Sequence, residues 1–132
     1  MPNLDHSDMQ IIAALQSDAR QTNRAIAEEV GLAPSTTLER IRSLEGRGVV
    51  TGYHADIDLV ALGRPLQAIV TLRLRPKTEA VVDRAIGRLM KLPEILGVFL
   101  LTGIDDLLVH VSVTDTDSLR RLVLDRISSI EG

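Results

Sequence analysis

The 132-residue chain has no cysteine and no tryptophan, and its only aromatic residues are Tyr53 and Phe99. Without cysteine there can be no disulfide scaffold, thiolate metal site or cysteine nucleophile. Two rings are too few for the stacking platforms with which proteins read single-stranded nucleic acid. No apolar run approaches the roughly 20 residues that a membrane span requires. The polar stretch Met1–Gln10 lacks the apolar core of a signal peptide. There is no excess of positive charge either: the formal net charge is −3. The first 52 residues carry five arginines against seven acids, and the remainder ten basic against eleven acidic groups. What is present is ordinary for a globular protein, 45% hydrophobic and 25% charged residues, so the core must be aliphatic. These features suit a cytoplasmic protein outside any membrane. If DNA is its partner, positive charge must be concentrated on one face and multiplied by assembly.

Helical signals come first along the chain. Asp5 is placed to cap a first helix, with Asp8 in the capping-box position and Leu4 and Met9 as a hydrophobic staple. Ile11, Ile12, Leu15 and Ala19 then share a face. Asn23 reads as the cap of a short helix ending at Val30, and Gly31 sits where a helix C-terminus adopts a left-handed conformation. Pro34 opens a third helix that runs to about Arg47 and stops at Gly48. Two helices joined through Gly31 have the outline of a helix-turn-helix. In the third helix Thr37, Leu38, Ile41 and Leu44 form an inner face. The polar set Ser35, Thr36, Glu39, Arg40, Ser43 and Arg47 is expected to face duplex DNA, with hydroxyls and arginines on base edges and phosphates. The competing reading is an amphipathic pair that merely packs. The β-rich run from Val49 to Ile57 favours DNA binding, because a winged motif would supply such a segment.

The stretch 58–65, with Gly63 and Pro65, reads as a linker between residues 1–57 and residues 66–132. Beyond it Leu66, Ala68, Val70, Leu72 and Leu74 alternate with Gln67, Ile69, Thr71, Arg73 and Arg75, which is a strand. Thr78 can cap a helix with Val82, Ala85, Ile86 and Leu89 inward. Strands at Ile95–Thr102 and Leu107–Thr114 follow, joined by the turn 103–106. A last helix, capped by Asp117, buries Leu119, Leu122, Val123, Ile127 and Ile130. The order β-α-β-β-α is a ferredoxin-like split βαβ unit without its final strand. An apolar edge of that kind needs a cover. Either the chain is truncated, or a partner or a further tail supplies it.

These residues resemble the Lrp/AsnC, or feast/famine, family of prokaryotic transcription regulators. The likeness rests on Leu4-Asp5, Leu15–Arg20, Leu32–Ser35, the block Leu38–Glu45, Gly48–Val50 with Gly52-Tyr53, Leu62-Gly63 and Thr102–Leu108. It covers nearly the whole chain, and Leu38–Glu45 is its most specific part. Ala33 departs from it, since the family often has a capping serine there. The resemblance implies an α+β chain: a winged helix-turn-helix joined to a ferredoxin-like domain that dimerises, assembles further and binds a small molecule, usually an amino acid, at subunit interfaces. It marks Thr102, Gly103, Ile104, Asp105 and Asp106 as the effector loop. Physically, a positive φ at Gly103 would expose amides to a carboxylate, and Asp105 or Asp106 could meet an ammonium group. A plain turn of the same composition is the alternative. Siroheme decarboxylases resemble the same architecture and supply an enzymatic alternative, although His6, His54 and His110 do not cluster in sequence. An architectural DNA-compacting protein is a third. No metal site or cofactor is expected.

Overall fold

The computed structural model describes residues 3–130, and the chain divides into two compact units, Met1–Asp56 and Ile57–Gly132. The first unit holds α1 (His6–Ser17), α2 (Asn23–Val30) and α3 (Pro34–Gly46). A reciprocal capping box starts α1: the Asp8 amide donates to Asp5 Oδ1 at 2.8 Å, and the Asp5 amide to Asp8 Oδ2 at 3.3 Å. Of the two staple positions, Leu4 packs against the core, whereas Met9 is exposed. Ile11, Ala14, Ile26, Ile41 and Leu44 form that core. Ala14 rather than Ala19 completes the inner face of α1, since the helix ends at Ser17 and Asp18 is already extended. Beyond that point the helical phase no longer applies to Ala19.

The cap of α2 is Thr22, whose hydroxyl accepts from the Ala25 amide at 3.1 Å, and not Asn23. The Asn23 side chain instead donates to Pro34 O at 2.7 Å and ties the starts of α2 and α3 together. Gly31 closes α2 at φ 73°, as its position requires. Past α3 the backbone turns at Gly48, φ 72°, and the amides of Val49 and Val50 both donate to Leu44 O. The expected β-rich wing is therefore not a strand pair: residues 51–58 form no strand. Tyr53 anchors the segment by donating to Glu45 Oε1 at 3.2 Å.

The second unit contains β1 (Leu66–Leu72), α4 (Glu79–Leu89), β2 (Ile95–Leu100), β3 (Leu107–Val113) and α5 (Thr116–Arg121), which widens into a π-helical turn over Leu122–Ile127. The sheet is antiparallel in the order β1-β3-β2. Central β3 buries Leu107, Val109, Val111 and Val113 against Val81, Ala85 and Leu89 of α4 and Leu122 and Ile127 of the π-helical turn. Thr78 caps α4, as its position suggests. Asp115, not Asp117, caps α5: the helix starts earlier than expected, and the Ser118 amide reaches Asp115 Oδ1 at 2.8 Å. A bulge between Ile95 and Gly97 shifts the β2 register, with the Ser112 amide donating to Glu94 O. This is the split βαβ order with three strands, and among the described residues the outer edge of β1 has no neighbour.

Candidate nucleic-acid interface and effector loop

The core-facing side of α3 is defined by Thr37, Ile41 and Leu44, and the Thr37 hydroxyl returns to Ala33 O at 3.1 Å. Leu38, expected to join them, lies at the exposed margin. At 3.6 residues per turn, the opposite face carries Ser35, Glu39 and Arg42 at i, i+4 and i+7, with Ser43 beside them, and all four are exposed. Thr36 is half-buried at the rim.

Arg40 and Arg47 lie on the flank of α3 that turns toward the start of α1. Arg40 Nη1 contacts Asp5 Oδ2 at 2.7 Å and Asp8 Oδ1 at 3.1 Å. Arg47 donates to Asn3 O at 2.9 Å, and its second nitrogen lies 3.8 Å from Asp8 Oδ2. Asp8 is buried. Hydrogen bonding from Arg40, then from the Asp8 amide, holds the Asp5 carboxyl below the usual carboxylate range. The same contacts raise the already high pKa of Arg40. Two carboxylates and two guanidinium groups thus neutralise one another at the α1–α3 junction. Of the set picked out in the sequence, Ser35, Glu39 and Ser43 share the outward face, whereas Arg40 and Arg47 do not. Arg42, outside that set, shares this face through its spacing from Ser35 and Glu39.

In the second unit the loop 102–106 links β2 to β3. Gly103 takes φ 144° with open space where a side chain would stand, and Thr102 and Ile104 are exposed. The two carboxylates behave differently. Asp106 is buried, accepts from the Leu74 amide at 2.8 Å and pairs with Lys77 Nζ at 2.6 Å. Its own amide donates to Leu72 O, so it fastens the loop to the end of β1. The Leu74 amide first, then Lys77, hold its carboxyl below the usual range. Asp105 is half-exposed, pairs with Arg73 Nε at 2.8 Å, and is shifted down chiefly by that hydrogen bond. Arg73 also lines a cavity of about 300 Å3 with Leu72, Leu74, Leu89, Val123 and Ile127.

Residues 67–132 match the family model described as the Lrp/AsnC ligand binding domain, and residues 4–51 the one described as winged helix-turn-helix DNA-binding. The chain belongs to the Lrp/AsnC family of transcriptional regulators. Its relatives include the HTH-type transcriptional regulator AldR of Mycobacterium tuberculosis, 37% identical over 96% of this chain and 70% of that protein. The leucine-responsive regulatory protein of Rhizobium meliloti is 31% identical over 98% of this chain and 83% of its own length. Among solved structures, the complex of the transcriptional regulator NMB0573 of Neisseria meningitidis with L-Met superimposes with a TM-score of 0.90 at 34% identity, covering 98% of this chain and 84% of that one. The Lrp/AsnC relatives are named as regulators, which removes the enzymatic alternative. No group of three or more His, Asp or Glu residues able to hold a metal occurs among the described residues. His110 sits on the sheet 2.9 Å from Gln67 Oε1, so it is hydrogen-bonded within the protein. No helix described is long and apolar enough to cross a membrane.

Proposed function

We propose that this Lrp/AsnC chain is a cytoplasmic, sequence-specific reader of duplex DNA whose affinity or assembly responds to an α-amino acid. Residues 1–57 serve as the DNA reader, 58–65 as a linker, and 66–132 as the effector and assembly domain. The observation that carries the reading is the outward face of α3, where the short side chains of Ser35 and Ser43 flank Glu39 on a helix whose other side is locked to a core. Such a helix fits a major groove, and carboxylates and hydroxyls can read base edges there. Thr36 lies at the rim of this contact. Arg40 and Arg47 reach phosphates only by leaving Asp5 and Asp8.

The effector reading rests on the 102–106 loop, where Asp105 pairs with Arg73, a cation that also lines a cavity of largely apolar side chains. An α-amino acid carries both complementary charges and an apolar side chain. Gly103 leaves the loop backbone open to approach, and exposed Thr102 and Ile104 border it. Asp106 is already satisfied and keeps the loop in place. The sheet face away from the helices supports a homodimer that assembles further. It presents Ile69 at 57% and Phe99 at 58% exposure, around the Gln67–His110 pair. Apolar groups so disposed suit a self-complementary partner, a second copy of the chain.

A mobility-shift titration on the DNA upstream of the chain's own gene, with and without each of the twenty amino acids, tests the reading. A retarded complex whose midpoint moves with at least one amino acid is expected. Equal retardation of every sequence would indicate an architectural DNA-compacting protein instead.

A further inference from the structure

Of the five arginines in the first unit, Arg40 and Arg47 are engaged by Asp5, Asp8 and Asn3. Their cluster is neutral and adds no net positive charge to the surface that meets DNA. Arg20 and Arg24 lie outside α3. That leaves one arginine of α3, Arg42, on the outward side of the helix beside Ser35 and Glu39. It is exposed, and among the described residues it makes no side-chain hydrogen bond or ion pair. Ser43 follows it in the chain, Glu39 stands one turn before it, and Ser35 two turns before it.

We propose that Arg42 is the DNA-contacting cation of α3, whereas Arg40 and Arg47 are positioning residues that brace the start of α1 against α3. The assignment rests on the DNA-reading function proposed above. A guanidinium on the outward side of α3 meets DNA without breaking an existing interaction. Arg40 would have to abandon two carboxylates, one of them buried, and would leave Asp8 without its nearest cation. A chain with an overall negative charge can bind duplex DNA if its free cations sit on the face that docks. Arg42 satisfies that requirement from the middle of the reading helix.

The test uses the full chain and the duplex that the wild-type protein selects from a random library. Dissociation constants are measured over a range of salt for wild type, Arg42→Ala, Arg40→Ala and Arg40→Lys. Arg42→Ala should weaken binding about tenfold or more and lower the magnitude of the log–log salt slope by about one, the signature of a lost cation contact. Its exposed position means that its melting temperature should not change. Arg40→Ala should lower the melting temperature, with affinity of the folded protein within threefold and an unchanged slope. Arg40→Lys, which keeps a cation beside Asp5, should restore the melting temperature. The opposite pattern, a slope reduced by Arg40→Ala and unmoved by Arg42→Ala, overturns the assignment. If the wild-type chain selects no duplex, the DNA-reading function itself fails, before any variant is compared.

Discussion

Helix α3 begins without a side-chain cap. Ala33 stands at its N-cap with extended geometry, φ −66° and ψ 146°, and offers no oxygen to the first turn. Pro34 has no amide to satisfy, and the first amide of the helix with an acceptor is that of Thr37, to Ala33 O at 3.0 Å. The amides of Ser35 and Thr36 are those that a capping oxygen reaches. Ala33→Ser places a hydroxyl at the right backbone geometry on an exposed residue, so no buried methyl contact is lost. The gain should be about 1 kcal/mol, the usual difference between serine and alanine at an N-cap. For a unit of this size that corresponds to roughly 4–8 °C in melting temperature. Differential scanning calorimetry of the full chain measures it, on the transition that Leu44→Ala, a truncation in the core of the same unit, shifts downward by about 2–5 kcal/mol. Thr22→Ala, which deletes the working cap of α2, should lower the same transition by a comparable 1 kcal/mol. If Thr22→Ala acts and Ala33→Ser leaves the transition unmoved, α3 does not begin at Pro34 and the placement of its outward face is wrong.

Three further perturbations follow from the same geometry. Asp106 has a folded pKa below its unfolded value of about 3.9, so its stabilising contribution is complete above that value and is lost as pH falls through the folded pKa. The melting-temperature gap between wild type and Asp106→Asn should therefore be constant above about pH 5 and shrink below pH 4; a gap that widens on acidification contradicts the pairing with Leu74 and Lys77. Gly31→Ala meets no neighbouring atom but forces an alanine to φ 73°, and should destabilise by about 1–2 kcal/mol in urea unfolding. Ile69→Asp introduces charge on the open sheet face and should shift the chain toward monomer in analytical ultracentrifugation without lowering its melting temperature below that of a monomer.

Much of the helical outline was legible because it is local. Gly31, Pro34 and Thr78 act within one turn of the chain, and alternation along Leu66–Leu72 follows directly from a sheet with one covered face. The errors at Asn23 and Asp117 arose where two capping residues stand close together: Thr22 and Asp115 won because the helices start at Asn23 and Thr116. The placement of Arg40 and Arg47 differs for another reason. Polarity marks a residue as not core, but it does not say whether it meets solvent or another polar group. The link from Arg40 to Asp5 and Asp8 spans more than thirty residues, and no periodicity within α3 reveals it. Similarly, Asp105 and Asp106 look equivalent in sequence. Only the approach of the Leu74 amide makes Asp106 a buried fastening and leaves Asp105 at the surface with Arg73. The run at 49–57 has strand-like composition, yet composition cannot provide a pairing partner.

If α3 presents a sequence-reading surface to duplex DNA, selection from a random duplex library by the full chain will reveal it. Recovered sequences should converge on a motif of two related half-sites spaced about one helical turn apart, as two copies presenting α3 to successive major grooves require. Recovery of a pool no more alike than the starting library, at salt where the chain still binds DNA, would contradict it.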